Sequence, residues 1–180
     1  KAIEQYEKTM VSYNSRFDKY SRGELLLTDA ELRGLDIFKT EKGDCFHCHS
    51  STAPEVFISP DRTFANNGLD SVSSVLDFTD FGLGKFTRNT DDNGRFKIPT
   101  LRNLAFSAPY MHDGRFATLD EVIDFYNDGP KGSPTLEPIM REKANKRVEL
   151  TGHWGLSLSA QDKADLKAFL LSLSDSSFVQ

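Results

Sequence analysis

Apolar residues keep helical steps in four stretches of the chain and lose any period between them. Ile3, Tyr6, Met10 and Tyr13 recur at three- and four-residue intervals, which predicts a helix over residues 1–19, broken by Ser21-Arg22-Gly23. Thr28 and Glu31 form the frame of a capping box. They predict a second helix whose apolar face is Leu32, Leu35, Ile37 and Phe38, closed at Gly43. A short helical turn is expected from Cys45 to Ser50. Residues 51–100 then show little period and are punctuated by Pro54, Pro60, Gly68, Gly82, Gly84, Gly94 and Pro99. So long an irregular loop is uncommon inside a compact domain, and a large embedded cofactor would hold it. Leu101–Leu104 predicts one helical turn. A box at Thr118 and Glu121 opens a helix to about Asn127, ended by Gly129-Pro130. Residues 131–158 read as mixed, with a short helix around 137–146. Ser159 and Asp162 open the last helix, with Leu166, Phe169, Leu170 and Leu173 as its buried stripe. No strand pattern or internal repeat stands out, so the expected class is all-α with long loops.

Composition narrows the function classes. The 180 residues include 22 Lys+Arg against 27 Asp+Glu, a net charge of -5, with no basic run; nucleic-acid binding is set aside. Mean hydropathy is -0.47. No apolar run approaches the ~20 residues of a membrane span. The chain opens at Lys1 without a methionine or an apolar leader, so it is expected to be a processed protein or a piece of a longer one.

Only two cysteines are present, Cys45 and Cys48. That excludes a disulfide scaffold and any four-thiolate zinc or iron–sulfur site within the chain. Cys45-Phe46-His47-Cys48-His49 is instead C-x-x-C-H, the attachment pattern of c-type haem. The two thiols add across the porphyrin vinyl groups, and their spacing lets one helical turn present both sulfurs to one ring edge. The next residue, His49, is placed to be the proximal iron ligand. A thioredoxin-like reading lacks its βαβ setting. A zinc site of Cys45, Cys48, His47 and His49 would crowd adjacent ligands into one tetrahedron. The sixth iron position could be taken by Met10, Met111, Met140, Tyr110, Tyr126, His112 or His153, and spacing alone does not choose among them. His47 is expected to be exposed, and Trp154 to pack in the core or at its edge.

Around this motif the chain resembles the bacterial di-haem cytochrome c peroxidases and the MauG proteins related to them. The resemblance runs through Leu35-Asp36-Ile37-Phe38 and Cys45–His49 to Phe96-Lys97-Ile98-Pro99-Thr100-Leu101-Arg102-Asn103. Ala108-Pro109-Tyr110-Met111-His112-Asp113-Gly114, Thr118–Glu121 and Asp165–Leu170 follow in the family's order. It implies a cytochrome c-like helical domain around one covalent haem c. It also implies that this is the C-terminal, electron-transfer half of a two-haem protein whose N-terminal peroxidatic domain is not in this chain. Residues 1–24 would be a linker or extension helix and 25–175 the haem domain. The family's distal ligand falls fourteen residues after His112, at Tyr126. The peroxidases have methionine there and MauG has tyrosine, so the resemblance points to the MauG-like branch, with Met111 as the rival ligand. A neutral thioether favours ferrous iron and raises the potential, whereas a phenolate favours the oxidised metal.

The resemblance implies further roles. Arg102 and Lys97 would pair with haem propionates. Backbone carbonyls of Ser107 and Pro109 would offer an interdomain calcium site, completed by an asparagine of the other half. His112 would make a structural or propionate-side hydrogen bond. No catalytic residue is assigned within this chain. The implied function is peroxide reduction, with electrons passed to the partner haem, or a MauG-like oxidation. The implied partners are the N-terminal haem domain, a small redox donor (cytochrome or cupredoxin) or a protein substrate, with a homodimer of the full-length protein and a periplasmic location. The competing reading is a mono-haem cytochrome c that only carries electrons.

Overall fold

The computed structural model describes residues 1–49 and 64–178. Its helices are α1 (Ala2–Glu7), α2 (Arg16–Ser21), α3 (Asp29–Lys39), α4 (Gly84–Thr87), α5 (Leu119–Asp128), α6 (Pro138–Thr151) and α7 (Ala160–Ser172). Short 3-10 turns sit at Cys45–His47, Thr90–Asp92 and Leu104–Phe106. A two-stranded antiparallel ladder joins β1 (Phe64–Ala65) to β2 (Phe96–Lys97), pairing Phe64 with Lys97 and Ala65 with Phe96. Strands of two residues are too short to carry an alternating pattern, which is why none was expected.

The core is the crossing of α3 and α7. Gly34 sets its distance: a Cβ there would lie 2.0 Å from the Asp165 carbonyl oxygen and 2.7 Å from the Phe169 Cβ. Only a residue without a side chain lets the two backbones meet so closely. Phe38 and Phe169 are fully buried, with ring centroids 5.2 Å apart, and Phe17 meets Phe169 edge-on at 5.5 Å. Leu166, Phe169, Leu170 and Leu173 form the buried stripe of α7. Leu119 and Ile123 of α5 complete the cluster. On the rim, Arg33 of α3 grips the buried Asp165 carboxylate of α7 with Nε and Nη2 at 2.7 and 2.9 Å.

The N-terminal segment departs from the single helix expected over residues 1–19. It forms two helices because Ser15 restarts the chain. Ser15 is extended (φ -64°, ψ 166°), its side chain accepts from the Asp18 amide, and the Asp18 side chain caps the Ser15 amide in return. A residue in that conformation ends any helix reaching it. The stripe Ile3, Tyr6, Met10, Tyr13 is accordingly exposed, whereas Phe17 enters the α3–α7 core. Leu32, expected on the buried face of α3, is also exposed, so that face is narrowed to Leu35, Ile37 and Phe38. The helix expected around 137–146 runs to Thr151, where Gly152 closes it in the left-handed region at φ 70°. Its residues are mostly polar and only Ala144 is fully buried, so no apolar stripe announced its length.

Of the long loop expected over residues 51–100, the part from 64 onward is described. It is irregular, as expected, but polar side chains hold it. The Asn66 amide donates to Ser133 Oγ and Thr135 Oγ1, both at 3.0 Å, and its oxygen accepts from the Gly68 amide at 2.9 Å. Thr135 Oγ1 donates to the Asn93 carbonyl at 2.6 Å, and Asn93 donates to the Val75 carbonyl at 2.8 Å. Asn66, Asn93, Ser133 and Thr135 are all buried. A buried amide is stable only when its donors and acceptors are satisfied, and here they satisfy each other.

Candidate haem-attachment site

α3 ends at Lys39, and a turn through Glu41–Gly43 delivers the chain to the Cys45–His47 3-10 turn. The turn is continued by the Cys48 and His49 amides, which both donate to the Cys45 carbonyl, at 3.2 and 2.9 Å. Cys45 and Cys48 form no disulfide, and both are half-buried. Burial pushes the Cys45 thiol up to about 12, helped by the charge of Asp44 and by Cys48. A thiol held protonated in this way is a poor disulfide-exchange nucleophile, which argues against redox-dithiol chemistry. Cys45 packs against the apolar core.

Tyr126 lies on α5, one turn beyond the buried Ile123. Burial pushes its hydroxyl up to about 12, opposed by a hydrogen bond from Asn67, with the Cys48 and Cys45 thiols adding to the rise. Asn67 Nδ2 donates to the Tyr126 oxygen at 3.2 Å and to the Met111 sulfur at 3.7 Å. The two ligand candidates on which the sequence reading converged thus share one amide, and Met111 is held at φ 72° in the left-handed region.

The other candidates are placed elsewhere. Met10 is on the surface. The Tyr110 hydroxyl donates to the Leu104 carbonyl at 2.6 Å. His153 is exposed, with Nδ1 accepting from the Gly155 amide at 3.1 Å. His112 is exposed and stacks on Phe96, centroids 3.6 Å apart. Met140 is half-buried on α6. Arg102 is paired inside the protein, with Nη1 and Nη2 on the Asp18 carboxylate at 2.9 and 2.8 Å. Lys97 is exposed on β2, and Ser107 and Pro109 are exposed in the following loop. The Trp154 indole is half-buried at the edge and donates to the Pro130 carbonyl at 2.5 Å.

His47 is not exposed as expected. Its side chain is 23% accessible, with Nε2 3.1 Å from Asp44 Oδ1 and 3.4 Å from Glu41 Oε1. The sequence reading also missed a basic face of α6. Lys143 reaches Glu41 at 2.5 Å and Arg147 reaches Asp44, so the polar side of the Cys45 turn is clamped to α6. Lys143 and Arg147 are one helical turn apart, and that spacing was the available signal. Glu41, Asp44 and His47 bring ligand atoms within 4.8 Å of one another, but the two cations already neutralise the carboxylates.

Known proteins place this arrangement. The chain is 33% identical to the cytochrome c peroxidase IdrP2 of Denitromonas iodatirespirans, over 96% of its own length and 47% of that protein. It is 31% identical to the methylamine utilization protein MauG of Methylorubrum extorquens, over 96% of itself and 42% of that protein. Its fold matches the crystal structure of a MauG-like protein associated with microbial copper homeostasis, with a TM-score of 0.71 and 38% identity, covering 94% of this chain and 54% of that one. No family model matches the chain. The chain belongs to the di-haem cytochrome c peroxidase and MauG family. It spans about half the length of the curated relatives it matches. The family uses haem c. The donors of this chain suit that group: two cysteine thiols on one turn, a histidine directly after them, and a phenol and a thioether held on one amide.

Proposed function

We propose that this chain is the electron-transfer haem c domain, the C-terminal half, of a periplasmic di-haem enzyme that acts as a peroxidase or a MauG-like oxidase. The observation that carries the reading is the C-x-x-C-H motif at Cys45–His49 in a chain similar over nearly its whole length to a cytochrome c peroxidase and to MauG. A bound haem c supplies a redox-active iron. Cys45 and Cys48 anchor it through thioethers, and His49 is its proximal ligand. Tyr126 is the distal ligand, which aligns the chain with the MauG-like branch. By itself the phenol is neutral, because burial dominates. Thioether formation removes both ionisable thiol protons and with them one cause of that rise. Beside an iron ion, the Tyr126 hydroxyl would be held as the phenolate.

With His49 and Tyr126 both holding the iron, no position would be left open for peroxide, so the chain's role would be to pass charge to the other half. Residues 25–175 form the haem domain and 1–24 an extension that reaches into it through Phe17. Lys97 and Arg102 would pair with the haem propionates, Arg102 while also held by the Asp18 carboxylate. Calcium at the Ser107 and Pro109 carbonyls requires the full-length protein, because two carbonyls alone bind weakly. The partners are the N-terminal haem domain and a small redox donor or a protein substrate, within a homodimer of the full-length protein.

The test is to export the chain in a host that matures c-type cytochromes and to weigh it under denaturing conditions. One haem mass should be added, and the double change Cys45→Ala, Cys48→Ala should remove it. Hydrogen peroxide turnover by the isolated chain should fall far below the ~10 per second usual for enzymes. Fast turnover would reject the division of labour, and a parent gene without a second C-x-x-C-H would favour a mono-haem carrier.

A further inference from the structure

Asn67 belongs to no haem motif, yet its amide is the point where the two candidate distal donors meet. A thioether sulfur only accepts hydrogen bonds, so its 3.7 Å contact turns the NH2 end of Asn67 toward Met111 and Tyr126. That group has two hydrogens, and one is available for each partner. The Tyr126 oxygen is thereby an acceptor, the role an oxygen keeps when it binds a metal.

The residues on either side make Asn67 rigid. Asn66 is buried and makes three side-chain hydrogen bonds, to Ser133, Thr135 and the Gly68 amide. Gly68, at φ 74°, lies so close to Pro130 and Lys131 that a Cβ would meet the Pro130 Cβ at 2.6 Å, and its carbonyl accepts from the Lys131 amide at 2.7 Å. The loop bearing Met111 is tied to the same segment by Arg115, which reaches Asp70 at 2.8 Å and the Leu69 carbonyl at 3.3 Å. The 66–70 segment and the Met111 loop are therefore fixed to each other independently of the Asn67 side chain.

We propose that Asn67 is the positioning residue of the distal side: it presents the Tyr126 oxygen to the iron and restrains the Met111 sulfur, so that the choice between oxygen and sulfur ligation is set at this one amide. The inference rests on the reading of Tyr126 as distal ligand. Its test uses the haem-loaded protein, with the ferric absorption and electron paramagnetic resonance spectra and the midpoint potential as readouts. Tyr126→Phe should abolish the phenolate-to-iron charge-transfer signature. Asn67→Leu should weaken that signature, raise the midpoint potential and bring in a thioether-to-iron band, which the further change Met111→Leu should remove. Asn67→Asp keeps the shape but cannot donate, and should also weaken the phenolate signature, which covers the case in which the leucine variant does not fold. If Tyr126→Phe alters the spectrum while both Asn67 variants keep the wild-type spectrum and potential, the role of Asn67 is rejected and the ligand stands. If Tyr126→Phe leaves the spectrum unchanged, the ligand reading fails and the role of Asn67 falls with it.

Discussion

The α3–α7 pair and the loop from residue 64 to 100 are held by opposite means. The helix pair is closed by apolar contact: Phe38 and Phe169 are fully buried, and Gly34 lets the backbones touch. The loop has few buried apolar anchors (Leu69, Phe78 and Ile98) and is pinned by Asn66 and Asn93 to residues 133–135. Apolar contact is non-directional and cumulative. A hydrogen-bonded pin is directional and fails all at once when one partner is lost. The first kind of region suits a scaffold, and the second suits a segment that must place one side chain, Asn67, against a ligand.

The largest effect should come from opening the scaffold. Phe169→Ala removes the ring that meets both Phe17 and Phe38, and a buried Phe→Ala change costs about 3–5 kcal/mol. Urea denaturation followed by circular dichroism should show that loss. A change below about 1 kcal/mol would mean that the apolar crossing does not carry the fold.

These two regions were unequally legible in the sequence. The boxes at Thr28, Thr118 and Ser159 placed the starts of α3, α5 and α7, because a cap is read within four residues. The α7 stripe was legible for the same local reason, since a buried face repeats with the helix. The Ser15–Asp18 box was overlooked because Ile3, Tyr6, Met10 and Tyr13 imitate a longer helix across it. The cysteines were legible because thioether attachment demands a fixed spacing. Asn66 and Asn67 were silent: an asparagine between strand and glycine reads as a turn, and its partners lie 44 to 69 residues away. An embedded cofactor was expected to hold the loop, and the fold shows a network of buried polar side chains that holds it to residues 133–135.

Arg102 sits at the seam between the regions and gives the next effect. Its guanidinium joins the end of the loop to α2 through the Asp18 carboxylate, with side-chain accessibilities of 13% and 6%. Arg102→Ala leaves that carboxylate buried without its counter-charge, which costs about 3 kcal/mol. Arg102→Lys should recover only part, since one ammonium replaces a two-pronged contact. An alanine variant as stable as the wild type would show that the seam is not held by this pair.

Asn66→Ala tests the pinned region itself. The hydroxyls of Ser133 and Thr135 and the Gly68 amide each lose a partner, and an unsatisfied buried group costs about 1–3 kcal/mol. Thr135 keeps its bond to the Asn93 carbonyl, which places the expected loss at the lower end. Amide exchange should quicken at residues 66–70 and 131–137 while the α3–α7 amides stay protected. Uniform acceleration across both regions would mean that loop and scaffold unfold as one unit.

The smallest and most specific effect is acid sensitivity at Asp18. Burial alone would raise its carboxyl, but the hydrogen bonds from Arg102 and Ser15 outweigh burial and hold it below the usual carboxylate range. A carboxyl depressed in the folded state contributes stability above its unfolded value near ~3.9, and that contribution is lost as pH falls through that value toward the folded one. Glu31 and Asp162 shift in the same direction, Glu31 because Arg16 and Thr28 outweigh burial and Asp162 chiefly through Lys42, so acid weakens the whole protein and a single curve does not isolate Asp18. The comparison that does so is with Asp18→Asn, which keeps the shape and removes the titration. The gap in urea midpoint between wild type and Asp18→Asn should be widest near about pH 7 and should close below ~4. In an Arg102→Ala background the gap above ~4 should be narrower and should be fully closed at a higher pH, because the guanidinium that depresses the folded carboxyl is gone. A gap that does not change with pH would mean that neither Arg102 nor Ser15 holds the Asp18 carboxyl down in the folded protein.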